Sequence, residues 1–282
     1  MIFYTDEFID RLIKEDVPYI DLTTQLIGIE QEKGCIEYRV REDSVVACTE
    51  EASRILMKLG IEIIVLVPSG TVVKKGAVIL SGKGNAGKLH MSWKVCLNIL
   101  EYCCGVATHA KEFVDKAKNV SPDISVLFTR KSFPGTKELV VKAALSGGVF
   151  PHRLGISETI LVFKQHLNFL GGFDGFIPWI PSIRSKSCEH RIIVEVEKLE
   201  DAIKLVTAGV DGIQFDKVPA QTLKNYVDTI REINDAIVLI AAGGVTIQNA
   251  EQYAASGVNA LVTSSFFHGK PLDIQASIIA DS

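Results

Sequence analysis

From residue 125 onward the chain repeats one unit: a short apolar, β-branched run, then in most units a stretch with helical spacing, then another run. The runs fall at 125–129, 159–163, 192–196, 212–215, 237–241 and 260–263, with helical segments at 199–209, 219–232 and 246–257. Each of these helices ends near Gly or Asn, as helix C-termini prefer. Short strands joined by helix-length connectors predict a parallel sheet covered by helices. The unit length, roughly 20–35 residues, suits an open sheet or a closed barrel. The polar residues decide between them. Arg130 and Lys131 follow the first run, Glu195 closes the third and Asp216 the fourth; Gly243–Gly244 follow the fifth and Ser264–Ser265 the sixth. Polar residues at the carboxyl ends of many strands belong to a β/α barrel, whereas an open sheet gathers them at one switch point. An incomplete parallel β/α barrel of about six to seven strands is expected. Neither a G-x-G-x-x-G turn after the first strand nor a P-loop is present.

The first hundred residues have another rhythm. Residues 5–15 place Phe8, Ile9, Leu12 and Ile13 on one helical face. Short β-prone runs (CIEYRV, SVVACT, IEIIVLV, AVILSG) follow between 34 and 81, interrupted by a helical stretch at 52–59, and a second helix runs from about 90 to 118. This is an α+β module. Composition narrows the partners: 30 Lys+Arg against 34 Asp+Glu give a net charge of −4, so neither nucleic acid nor a membrane surface is expected. No run reaches the ~18 apolar residues of a membrane span, and acids interrupt the start where a secretory signal would be apolar. The 6 cysteines form no C-x-x-C pair and read as reduced thiols. A cytoplasmic location is expected.

Three groups carry chemistry. IAAGGVTIQNA (240–250) reads as strand, Gly-Gly turn and helix start, where backbone N–H groups could meet a phosphate; a plain tight βα turn is the alternative. Glu195 and Asp216 end successive apolar strands, where a carboxylate is costly unless paired, solvated or metal-bound. They could hold Mg²⁺ beside a diphosphate or stabilise a cationic sugar, or serve as a surface group and a helix cap. Arg130 and Lys131 in TRKSFPGTK, with His152 and Arg153 in GGVFPHRLG, gather positive charge in an acidic protein. Together they suit a multiply anionic ligand, although singly each could be a surface ion pair. No G-x-S-x-G elbow or Cys/His zinc spacing occurs.

In this order and spacing, TRKSFPG, SGG, HRLG, LVFKQH, VEVE, FDK and AGGV resemble the quinolinate phosphoribosyltransferases, and EDVPYIDLTT (15–24) and LNILEYCCGVAT (97–108) extend the resemblance over nearly the whole chain. TRKSFPGTK, HRLGISETILVFKQH and SWKVCLN are closer still to the ModD branch, linked to molybdenum-transport operons. The resemblance implies an N-terminal α/β sandwich domain (1–110), a barrel domain (111–270) and a C-terminal segment (271–282) returning to the first. It implies a homodimer, or a hexamer built from dimers, with sites at the subunit interface. The implied reaction joins a planar anionic ring acid such as quinolinate to phosphoribosyl pyrophosphate with Mg²⁺, releasing pyrophosphate and, from quinolinate, CO₂. Carried over, Arg130, His152 and Arg153 grip the acid and Lys131 serves the donor. Glu195 and Asp216 stand near ribose and metal, and Gly243, Gly244, Ser264 and Ser265 lie near phosphate. The family's partner-supplied arginine falls at Lys94, which keeps the charge but not the fork.

This sequence departs from the family pattern at the acceptor. The family's substrate lysine falls on Phe163; Lys164, one residue later, is expected on the opposite face of a strand. A glutamate and a serine of the family's E-A-S-G-G become Ile240 and Ala242. Losing one charged partner of a carboxylate costs about 1.5–3 kcal/mol. The expectation is a phosphoribosyltransferase acting on an acid such as quinolinate; the alternatives are a ModD-type paralogue with a different acceptor and a non-catalytic phosphate- or oxyanion-binding barrel linked to molybdenum transport.

Overall fold

The computed structural model describes residues 2–281. They form two compact units, neither continuous in sequence. The first holds the chain through Lys111, Phe133–Gly148 and the stretch from Phe266 on; the second holds Glu112–Ser132 and Val149–Ser265. The sequence places breaks near residues 110 and 270, so the segments 133–148 and 266–270 are the main differences.

In the first unit, β1 (Lys33–Val40), β3 (Glu62–Leu66) and β5 (Val78–Asn85) are long strands, while β2 (Ser44–Val45) and β4 (Val72–Val73) form a separate two-residue pair. The SVVACT run is therefore mostly not strand. It breaks at Cys48, which takes φ +61° and starts the helix Thr49–Lys58. The helix Lys137–Ser146 belongs to this unit because its side chains are spent there. Lys142 Nζ lies 2.6 Å from Glu51 Oε2 and 2.8 Å from Glu50 Oε2, and Tyr4 Oη donates to the Glu138 carbonyl at 3.0 Å. A half-buried ammonium left without those carboxylates would cost on the order of 1–3 kcal/mol.

In the second unit seven strands form one parallel sheet: β6 (Ser125–Phe128), β7 (Phe150–Pro151), β8 (Ile160–Val162), β9 (Ile192–Val196), β10 (Gly212–Asp216), β11 (Val238–Ala242) and β12 (Ala260–Thr263). Their order is β7-β6-β12-β11-β10-β9-β8, an incomplete barrel in which β7 and β8 are the outer edges. The strand missing from the sequence reading is β7, whose two residues are too short for any periodic pattern. The helices Leu199–Thr207 and Ala220–Ile233 cover the sheet as expected. A last strand, β13 (Ile274–Ala280), pairs antiparallel with β1, giving the first unit the order β13-β1-β5-β3.

The barrel interior is filled by Leu161, Ile193, Ile240, Ala242, Ala260 and Val262, with Leu127, Phe163 and Val238 packed against them. These side chains come from alternate positions on each strand, as a period of two requires. Gly212 leaves room for them: a methyl there would meet the Val238 carbonyl at 2.9 Å.

Candidate active site

At the carboxyl ends of the barrel strands a cavity of about 690 Å³ opens over this apolar floor. Arg130, Lys131, His152, Arg153, Phe163, Glu195, Asp216, Gly243 and Gly244 all line it. The structure thus brings together nine of the twelve residues singled out from sequence. Ser264 and Ser265 are not among its lining residues. The chain leaves β12 at Thr263 and turns into a 3-10 segment, where Ser265 N donates to Thr263 Oγ1 at 3.0 Å. Lys94 sits on the helix Ala86–Val120 of the first unit, its ammonium 4.6 Å from the Trp93 ring centroid.

One side of the cavity is cationic. After β6, Lys131 N donates to Thr129 Oγ1 at 3.1 Å, which turns Arg130 and Lys131 out of the strand. Arg153 is half-buried; burial and then the Arg130 charge lower its pKa, while Glu158 opposes them. Like charges crowded in this way are tolerated where an anion will complete the site.

His152 is held by its backbone N–H to the Phe128 carbonyl at 3.0 Å, and its Nε2 is buried without a partner. Burial first, and the Arg153 charge second, push the imidazole down to about 4. It is therefore neutral at pH 7 and able to hydrogen-bond without adding charge. The unfolded chain takes up this proton near pH 6.5 and the folded one near 4, so the associated stability is intact above about 6.5 and lost as pH falls toward 4. An NMR titration of the His152 ring should give a midpoint near 4; a midpoint above 6 would contradict this placement.

Phe163 does not extend β8. It is the extended N-cap of the short helix Lys164–Leu167, and its N–H donates to His166 Nδ1 at 3.0 Å. Lys164 is turned away because a helix begins there, not because a strand alternates, and it does not line the cavity. The Phe163 ring has the Arg153 guanidinium 5.7 Å from its centroid and the His166 ring 6.0 Å away and stacked at 24°. It forms an apolar wall beside the cations.

The other side is acidic. Glu195 and Gln214 are register partners on β9 and β10, and Gln214 Nε2 donates to Glu195 Oε2 at 2.6 Å. Burial raises the Glu195 pKa, the Gln214 hydrogen bond lowers it, the Asp216 and Glu197 charges raise it and Lys131 lowers it. Asp216 is the register partner of Ala242, and its Oδ2 lies 3.9 Å from Lys217 Nζ. Among the described residues no group of three or more His, Cys, Asp or Glu side chains could hold a metal.

The twin glycines follow β11 with φ of +76° and +79°. The helix expected from residue 246 begins only at Ala250 and is five residues long. Asn249 explains the delay: its Oδ1 accepts from Thr246 N at 2.8 Å and its Nδ2 donates to the Gly244 carbonyl at 3.0 Å, folding 244–249 into a capped loop. Any anion here would meet loop backbone rather than a helix dipole. Sequence reasoning missed Thr129, Gln165, Gln214 and Lys217, which also line the cavity. Only Gln214 carried a signal: a lone polar residue inside an otherwise apolar strand.

The quinolinate phosphoribosyl transferase C-terminal domain matches residues 106–277, and the N-terminal domain of the same family matches 21–104. A pyrophosphorylase named ModD from Pasteurella multocida is 35% identical over 278 residues, covering 99% of each chain. Another from Rhodobacter capsulatus is 37% identical over 250 residues, covering 89% of this chain and 96% of that one. The crystal structure of a nicotinate-nucleotide pyrophosphorylase from Ehrlichia chaffeensis superposes with a TM-score of 0.89 at 23% identity, covering 99% and 100%. No helix among the described residues is long and apolar enough to cross a membrane. With both domains matched and full-length relatives above 30% identity, the chain belongs to the quinolinate phosphoribosyl transferase family and is a pentosyltransferase.

Proposed function

We propose that this enzyme transfers the ribose 5-phosphate of phosphoribosyl pyrophosphate to the ring nitrogen of a planar, anionic acid. The bond from that nitrogen to ribose C1 forms as the C1–oxygen bond breaks, and the electron pair leaves with pyrophosphate. The observation that carries this reading is the division of one cavity into a cationic side, an acidic side and an apolar floor. Arg130 and Arg153 suit the acceptor's carboxylate, neutral His152 adds a hydrogen bond, and the floor and Phe163 suit a flat ring. On the acidic side the Glu195 carboxylate suits the positive charge that develops on the sugar, and Lys131 and the Gly243–Gly244 turn suit the phosphates.

Magnesium fits this donor set. Two carboxylates, Glu195 and Asp216, end adjacent strands, and Mg²⁺ is usually bound by one or two carboxylates together with substrate phosphates and water. When bound, it would neutralise charge on the diphosphate. The same reading makes a homodimer the working unit, supported by exposed Tyr19, Ile20, Leu22, Leu26 and Ile27, an apolar surface that a single chain leaves in water.

Phe163 favours a second form of the reading, in which quinolinate is not the preferred acceptor. A second carboxylate beside Phe163 would find a ring where an ammonium is needed, and the ModD name of two relatives fits such a divergence. Pyrophosphate release from phosphoribosyl pyrophosphate, with a panel of ring acids and with Mg²⁺ or a chelator, tests both forms. Mg²⁺-dependent release with at least one ring acid is expected. Phe163→Lys should tighten quinolinate by about 10- to 100-fold, the worth of one charged hydrogen bond. Silence from both proteins across the panel would overturn the proposal.

A further inference from the structure

Resting on the phosphoribosyl-transfer reading, we propose that Gln214 is a positioning residue for Glu195: its amide N–H₂ ties down one carboxylate oxygen and presents the other to the substrate. Gln214 is 3% exposed, in the middle of β10, so its side chain is almost wholly enclosed by protein. Its register partners are Glu195 on β9 and Ile240 on β11. Nε2 reaches Glu195 Oε2 at 2.6 Å, whereas Oε1 is buried with no partner, because Ile240 offers none. Turning the amide over would set its carbonyl against the carboxylate, so only one orientation is stable.

A buried carbonyl without a donor is a cost that native structures avoid unless it serves something. An apolar residue of similar volume would remove it and suit the floor formed by Leu161, Ile193, Ile240 and Val262. What such a residue could not supply is a donor to Glu195. That carboxylate is half-buried, and its side chain has several rotatable bonds. Anchored at Oε2, it has one free oxygen in a defined place; unanchored, it samples several. Gln214 thus acts through Glu195 and need not touch the substrate.

Gln214→Met keeps the volume and removes the donor. Its kcat is expected to fall about 10- to 100-fold, with KM for both substrates within about threefold, as for loss of an interaction expressed only in the transition state. Gln214→Leu, which also removes the donor, should fall similarly and serves if the Met variant folds poorly. In a Glu195→Gln background, adding Gln214→Met should cost less than about twofold, because the two side chains act as a unit. Turnover of Gln214→Met equal to that of the natural protein, a change in KM alone, or fully multiplicative losses would each overturn the proposal. A crystal structure of Gln214→Met decides the matter without any substrate. Displaced or split Glu195 oxygens are expected; an unmoved Glu195 carboxylate would overturn positioning. Absence of turnover by the natural protein would instead count against the phosphoribosyl-transfer reading.

Discussion

Glu195→Gln should lose about 10²- to 10³-fold in kcat while unfolding within a few degrees of the natural protein. The magnitude is that of removing one preorganised electrostatic group from a developing charge. The substitution isolates charge from shape. A glutamine at 195 can still accept from Gln214 Nε2 through its carbonyl, so the contact between β9 and β10 survives. What is lost is the full negative charge that the proposed reaction sets beside the sugar. Because burial already disfavours that charge, the neutral residue should not destabilise the fold. Initial rates of pyrophosphate release, with melting temperatures measured alongside, check this. A rate within about threefold of the natural protein would remove Glu195 from the mechanism.

Gly243→Ala should harm both folding and turnover. The residue needs φ +76°, and a methyl built there overlaps Asp216 Oδ1 and falls 2.7 Å from Lys217 Cγ and 2.8 Å from Lys217 N. Relief requires movement of Asp216 or of a backbone pinned by the Lys217 N–H to the Ala242 carbonyl at 2.9 Å. Left-handed strain and overpacking each cost about 1–3 kcal/mol. A loss of roughly 2–6 kcal/mol follows, or on the order of 4–24 °C in Tm at about 2–4 °C per kcal/mol. Gly244→Ala is the internal control: φ is +79°, but nothing lies within 4 Å of the added methyl, so only the backbone strain applies. Equal Tm losses for the two variants would show that the Asp216 contact has no energetic weight.

Much of the site is legible in the sequence because a parallel barrel ties chemistry to one recognisable place, the carboxyl end of each strand. Arg130, Lys131, Glu195, Asp216 and the two glycines each sit just where an apolar run stops, whereas His152 and Arg153 are read from a glycine-bearing loop because β7 before them is only two residues long. The runs were visible because β-branched clusters and helix-length connectors alternate. Ser264 and Ser265 met the same criterion and lie elsewhere. A strand end shows where the chain leaves the sheet and not which way it turns, and here Thr263 Oγ1, donating to the Val245 carbonyl at 2.7 Å and accepting from Ser265 N, turns it aside.

The sequence by itself determined the class of fold, the family and the charged rim of the cavity, all properties of local pattern. Tertiary structure alone decided what lies at its floor and how the rim is held. Strands buried on both faces carry no alternation of apolar and polar residues, so GIQFD does not reveal which of its side chains face the barrel interior. Only pairing with β9 and β11 puts Gln214 between Glu195 and Ile240. The same holds for the short helix after β8, which makes Phe163 a wall, and for Lys142, which spends the helix Lys137–Ser146 on the first unit. Each depends on partners distant in sequence, and register between distant segments is set by the packing of the whole.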